Sequence, residues 1–142
     1  MTDYLLDTGI LIRYLRKSPG YDRLFDEFYQ RSNLVISAYT RLEIIRGMHE
    51  GEREVTLDLL NRMITMPVNV QNADLAGELI RFWCEKGFVL SDGDAIIAAT
   101  GINLDLELVT TNGRHFPMPE LVVWQADEQG NIIKRSPRND NV

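Results

Sequence analysis

A single cysteine, Cys84, stands among the 142 residues, so no internal disulfide is possible and a reducing, cytoplasmic setting is expected. With only His49 and His115 as imidazoles, the chain also lacks the Cys and His sets that hold structural zinc. Cys84 lies in the helical stretch Arg81-Phe82-Trp83-Cys84 with no histidine pattern beside it, and reads as a small core or boundary residue. No apolar run approaches the roughly 20 residues of a bilayer span, so no membrane partner is expected. Met1-Thr2-Asp3 has neither a basic stretch nor a cleavage pattern, which argues against a secretory leader. Basic side chains are outnumbered 15 to 21, giving a net charge of −6. That excludes a general nucleic-acid coat, which needs a basic surface. It leaves a nuclease open, because a carboxylate site adds negative charge that a bound cation cancels locally.

What is present is a chain of ordinary globular composition, 44% apolar and 25% charged, long enough for one domain with a real core. Tyr4-Leu5-Leu6 predicts a short buried strand, then an Asp7-Thr8 cap and a helix with Ile10, Leu11, Tyr14 and Leu15 on one face. Ser18-Pro19-Gly20 stops it, and a second helix is expected from Tyr21 to Tyr29 with Leu24, Phe25 and Phe28 inward. Leu34-Val35-Ile36 is the next strand, leading through Ser37 into a helix to Met48. Gly51 breaks that helix before another bearing Val55, Leu59, Leu60 and Met63. Met66-Pro67-Val68 reads as an edge strand, since proline cannot donate to a central ladder. Asn72 reads as the cap of a helix running to Lys86-Gly87, and Ser91 as the cap of the helix carrying Asp94.

Leu108-Val109-Thr110 and Leu121-Val122-Val123 are the last two strands, and the polar stretch from Gln125 reads as a loose tail. The expected organisation is a domain over residues 1–124 and a tail over 125–142. Strands alternating with helices imply an α/β fold: a three-layer α/β/α sandwich around a mostly parallel sheet of about five strands. The apolar residues from Tyr21 to Met63 exceed what a small sheet needs to cover. They point either to dimerisation or to a larger core.

Three acids stand out by placement. Asp7 follows a strand, Glu43 sits among Leu42, Ile44 and Ile45 close to buried surface, and Asp94 opens a helix that is apolar almost all round. Each has a structural reading. Asp7 is a good N-cap, and Thr40-Arg41-Leu42-Glu43 and Ser91-Asp92-Gly93-Asp94 both fit a capping box. Asp92 at a helix start also complements the helix dipole. Their joint position at strand ends and buried helix mouths is harder to explain by capping, because a buried carboxylate is costly without a cation. At the C-terminal edge of a parallel sheet they can converge on a hard divalent ion.

The ordered segments Leu5-Leu6-Asp7-Thr8-Gly9-Ile10-Leu11-Ile12, Ile36-Ser37-Ala38-Tyr39-Thr40-Arg41-Leu42-Glu43 with Gly47, Asp94-Ala95-Ile96-Ile97-Ala98-Ala99-Thr100, and Leu108-Val109-Thr110-Thr111-Asn112 through Phe116 resemble the PIN-domain ribonucleases. Within that family they look like the VapC-type toxins of bacterial toxin–antitoxin pairs. The resemblance implies a PIN-like fold and a metal-dependent endoribonuclease, using Mg²⁺ or Mn²⁺ and held inactive by a cognate antitoxin. It implies RNA as substrate and a homodimer or toxin–antitoxin hetero-oligomer. Carried over, Asp7 and Asp94 would be the principal metal ligands and Glu43 the third acid. Asn112 stands where many members carry a fourth acid, with Asp92 as a possible compensating carboxylate. Thr8 and Ser37 look like hydroxyls that fix the carboxylates. Arg13, Arg46 and Arg114 are candidates to hold RNA backbone or else lie on a solvated face. His115 is an acid, a phosphate donor or a plain loop histidine.

Two other enzyme or signalling classes fail on the residues. Leu5-Leu6-Asp7-Thr8-Gly9 is similar to an aspartic-protease loop, but a helix pattern follows at once where that fold is all-β. A phospho-accepting receiver domain would need a lysine after the last strand, and none follows Val123 there. The remaining alternative is a catalytically weak or inactive PIN-like binding module, with Asn112 in place of the missing acid.

Overall fold

The computed structural model describes residues 3–135. Strand β1 (Tyr4–Leu6) leads into α1 (Thr8–Leu15) and α2 (Tyr21–Arg31). Strand β2 (Leu34–Ser37) leads into α3 (Ala38–Gly47), a 3₁₀ turn and α4 (Arg53–Arg62). Edge strand β3 (Ile64–Met66) precedes α5 (Val70–Glu85) and α6 (Asp92–Leu104). Strands β4 (Glu107–Thr110), β5 (Val123–Ala126) and β6 (Ile132–Lys134) close the chain.

The sheet order is β3-β2-β1-β4-β5-β6, parallel except for the last pair. It is therefore the expected three-layer sandwich, with one more strand than the sequence suggests. Alternation along the strands assigns the two faces. Tyr4, Leu6, Leu34, Ile36 and Val109 pack with α1, α2 and α4. Leu5, Val35, Leu108 and Val123 pack with α5 and α6. Both faces are covered, as a parallel sheet requires. Most apolar side chains between Tyr21 and Met63 are core, among them Leu24, Phe25, Phe28, Leu59 and Leu60, while Tyr29, Leu42, Ile45 and Val55 stay exposed.

Several boundaries differ from the sequence reading. Strand β3 ends at Met66, because Pro67 cannot extend the ladder. Helix α5 is capped by Asn69, whose side chain accepts from the Asn72 N–H at 2.8 Å. Asn72 is itself buried, donating to the Pro67 carbonyl and accepting from Asn103. Cys84 is exposed on the outer side of α5.

The largest difference concerns the supposed tail. Gln125 and Ala126 belong to β5, and Ile132–Lys134 to an antiparallel β6, so ordered structure runs past 124. Ala126 and Ile132 add to the core, and the Trp124 indole donates to Glu107 at 2.9 Å. The polar turn between the strands is ordered by Asp127, whose carboxylate accepts from the Gln129 and Asn131 N–H groups. The hairpin turn docks on the start of α2, where the Tyr21 hydroxyl donates to the Asp127 carbonyl. Residues 136–142 of the expected tail lie outside the described residues.

Candidate active site

Strand β1 has β2 on one side and β4 on the other, so the chain leaves its C-terminal end at the switch point where the sheet's winding reverses. Open α/β sheets form a crevice there. Asp7 sits at this point as the N-cap of α1, its Oδ1 accepting from the Thr8 N–H at 2.8 Å. Its Oδ2 accepts from the Thr110 hydroxyl, at the end of β4, at 2.7 Å. Only 8% of Asp7 is exposed. Burial pushes its carboxyl pKa up, the Thr110 and Thr8 hydrogen bonds pull it down, and the nearby charges of Asp94 and Glu43 raise it further. Thus the cap reading of Asp7 is correct and incomplete. A cap needs only one oxygen, and here the second is turned to β4 within the field of two other acids.

Glu43 lies in the second turn of α3, beyond its start, and the helix is capped by Ser37, whose hydroxyl accepts from the Tyr39 N–H. Two expectations change with this. Thr40-to-Glu43 is no capping box, and Ser37 serves its own helix rather than a carboxylate. Leu42 and Ile45 are exposed, so only Ile44 of the apolar neighbours is buried. Glu43 is brought inward by Thr8, whose hydroxyl donates to Glu43 Oε1 at 2.7 Å and lies 3.3 Å from the buried Thr40 hydroxyl. Thr8 therefore joins Asp7 to Glu43, through its backbone to one and its side chain to the other.

Asp94 occupies the first turn of α6, whose N-cap Ser91 accepts from the Asp94 N–H. Its side chain is 25% exposed and faces His115 Nδ1 at 3.4 Å. The helix is as deep as its composition predicts, with Ala95, Ile97, Ala98 and Ala99 all buried. Gly93 lets the Tyr39 ring lie against the first turn of α6, since a Cβ there would overlap the ring. Asp92 is exposed in the same turn, which favours its dipole role.

Asn112 follows β4, with its N–H bonded to the Thr110 hydroxyl and its side chain exposed. Arg46 lies 3.9 Å from Glu43 Oε2 on the rim. Arg114 is exposed in the short 3₁₀ turn Gly113–His115. The charge of Arg13 acts on the Tyr21 hydroxyl. Glu43 also borders a groove whose walls include Ile12, Leu15, Ile44, Met48 and Thr56.

Thr110 and Thr40 are site residues that the sequence reading did not single out. For Thr110 the signal was its place at the end of a central strand; nothing in the sequence reveals that a residue 103 positions away is its partner. Among the described residues, no three His, Cys, Asp or Glu side chains already form a metal-binding group. The donor set is oxygen-only, hydroxyl-oriented and partly open. That suits a hard divalent cation that takes only part of its coordination sphere from protein and the rest from water.

Fold and site together define an α/β protein with an acidic site at the switch point of a parallel sheet. The chain belongs to the PIN-domain family: the family's sequence profile, described as PIN domain, matches residues 4–119. Ribonuclease VapC19 of Mycobacterium tuberculosis is 33% identical to it over 119 residues, covering 82% of this chain and 95% of that protein. Ribonuclease VapC10 of the same organism is 33% identical over 116 residues, covering 82% and 87%. Among solved structures, VapBC2 from Rickettsia felis bound to a promoter DNA fragment superimposes with a TM-score of 0.78 at 23% identity. It covers 89% of this chain and all of that one (100%) and speaks to the fold alone. DNA-bound VapBC from Salmonella typhimurium gives a TM-score of 0.75 at 25% identity, covering 87% and 97%.

Proposed function

We propose that this chain is a Mg²⁺-dependent endoribonuclease, with Mn²⁺ as substitute, that hydrolyses RNA phosphodiester bonds as the toxin of a toxin–antitoxin pair. The observation that carries the reading is the hydrogen-bonded link Asp7–Thr8–Glu43 at the end of β1, with the charge of Asp94 acting on Asp7, in a chain related to named ribonucleases. In this reading Asp7 and Asp94 hold the ion, Glu43 is the third acid, and Asn112 orients water or phosphate as a neutral acceptor and donor. Bound there, the ion lowers the pKa of a water and offsets charge on the phosphoryl oxygens.

The chain's own residues do the rest. Thr110 and Thr8 fix the Asp7 oxygens, Thr8 turns Glu43 inward, and His115 faces Asp94. Arg46 and Arg114 stand on the rim, where they can receive RNA phosphates. A cognate antitoxin is the proposed partner, and the groove bordered by Glu43, with both apolar and charged walls, offers it a surface beside the acids. A homodimer and a cytoplasmic location complete the reading. No helix among the described residues is long and apolar enough to cross a membrane.

The second reading, a PIN-like binding module without cleavage, draws on the neutral Asn112. Incubating purified protein with RNA in Mg²⁺, in EDTA, and in EDTA followed by excess Mg²⁺ separates the two. The nuclease reading predicts cleavage that stops with chelation and returns with the ion. Chelator-insensitive cleavage contradicts metal dependence, and no cleavage in any condition favours the module.

A further inference from the structure

The loop after β4, residues 111–122, carries Asn112, Arg114 and His115, yet has little regular structure of its own beyond one 3₁₀ turn. Its backbone is held largely by two side chains from the terminal hairpin. Gln125, on β5, accepts from the Gly113 N–H at 2.6 Å and donates to the Thr111 carbonyl at 2.7 Å. It thereby grips both sides of Asn112. Gly113 is needed for this approach, because a Cβ there would come within 2.8 Å of Gln125 Oε1.

Arg135, just after β6, spreads its guanidinium over four backbone carbonyls of the loop. Nη1 donates to Gly113 at 3.3 Å and to Phe116, and Nη2 donates to Met118 at 3.0 Å and Leu121 at 3.3 Å. Its own N–H is fixed by the Val123 carbonyl at 2.8 Å. A planar five-donor fork can satisfy diverging carbonyls in this way, and an ammonium cannot. Phe116 and Met118, between these contacts, are fully buried and anchor the loop from below. The family match ends at residue 119, before either side chain.

We propose that Gln125 and Arg135 are positioning residues. By fixing the backbone from Thr111 to Leu121, they set the Asn112 N–H on the Thr110 hydroxyl that holds Asp7, and His115 beside Asp94. The inference rests on the nuclease reading for its catalytic consequence. Its structural half stands apart: removing Arg135 frees the loop while leaving α1, α3 and α6 in place.

The test compares the full chain with Arg135→Ala, Arg135→Lys and Gln125→Ala. Hydrogen exchange should rise about tenfold or more at the Gly113 to Leu121 amides of Arg135→Ala, with the α6 amides still protected. In RNA cleavage with Mg²⁺, kcat should fall about 10- to 100-fold, the scale of a small misplacement, with KM within about threefold. Arg135→Lys should recover only a small part of the loss, and it serves in place of Arg135→Ala if that variant does not fold. The decisive readout is a double-mutant cycle with His115→Ala. If Arg135 acts by placing His115, removing it costs less kcat in the His115→Ala background than in the wild type. Unchanged exchange in the loop overturns the proposal, and so does a fully additive cycle. If the wild type itself cleaves no RNA, the functional reading fails, and loop exchange alone then decides the positioning claim.

Discussion

Asp7 is held under electrostatic tension. Its carboxyl is buried and lies in the field of Asp94 and Glu43, and two hydrogen bonds do not fully offset this, so its pKa stands above the ordinary 3.8. The sign of the consequence is fixed by linkage. The folded state binds this proton more tightly than the unfolded chain. Stability therefore declines as pH rises from 3.8 through the raised folded value, and the penalty is complete above it. Asp7→Asn should thus raise the Tm of the metal-free protein at neutral pH, and the gain should shrink as pH is lowered toward 3.8. Thermal unfolding in EDTA across a pH series checks this. A lower Tm for the variant at pH 7, or a gain that grows in acid, would contradict it.

The same site makes a second demand. Mg²⁺ should raise the wild-type Tm and leave Asp7→Asn nearly unmoved, because an ion stabilises only the state that binds it. At this scale the acids were legible in the sequence, because carboxylates interrupt apolar runs where burial is expected. Of their supporting hydroxyls, Thr8 was legible and donates to Glu43 as expected, and the others were not. Ser37 looked like Thr8 in sequence and turned out to cap its own helix, while Thr110 took the role assigned to it.

Among the elements, the β5–β6 hairpin is the part that composition concealed. An edge hairpin with one solvated face shows polar residues at alternate positions, and here Gln125, Lys134 and the Asp127 to Asn131 turn gave the appearance of a tail. Packing of Ala126 and Ile132 and docking on α2 are long-range facts that no local pattern carries. The docking depends on Gly20, which has φ of +84° and faces the Gln129 carbonyl where a Cβ would overlap it. Gly20→Ala should therefore cost about 1–3 kcal/mol through backbone strain and overpacking. Denaturant unfolding reads that loss, and exchange should increase in β6 before it does in α6. A neutral Gly20→Ala would show that the hairpin does not rest on this contact. By contrast β1, β2, β4, α1 and α6 follow directly from short apolar runs ended by capping residues. Together with α3, which carries Glu43, these elements build the site.

In the whole molecule, winding order turns separate motifs into one site. Placing β1 between β2 and β4 sends the chain out at the switch point, so Asp7, the Glu43 helix and the Thr110 strand end meet although they are distant in sequence. The alternation of strands and helices made the sandwich legible, whereas which strands are neighbours came only with the structure. The sequence placed Asn112 at the fourth acidic position, but it could not show that this residue is exposed on a loop pinned by Gln125 and Arg135.

The central claim is that these convergent carboxylates perform RNA hydrolysis. The most direct measurement is single-turnover cleavage of RNA in Mg²⁺ by the wild type, Asp7→Asn and Asp94→Asn, with folding of each confirmed by its Tm. The account predicts that either substitution lowers the rate by about 10²-fold or more, as for loss of a group that stabilises transition-state charge. A rate for both variants within about threefold of the wild type would contradict it.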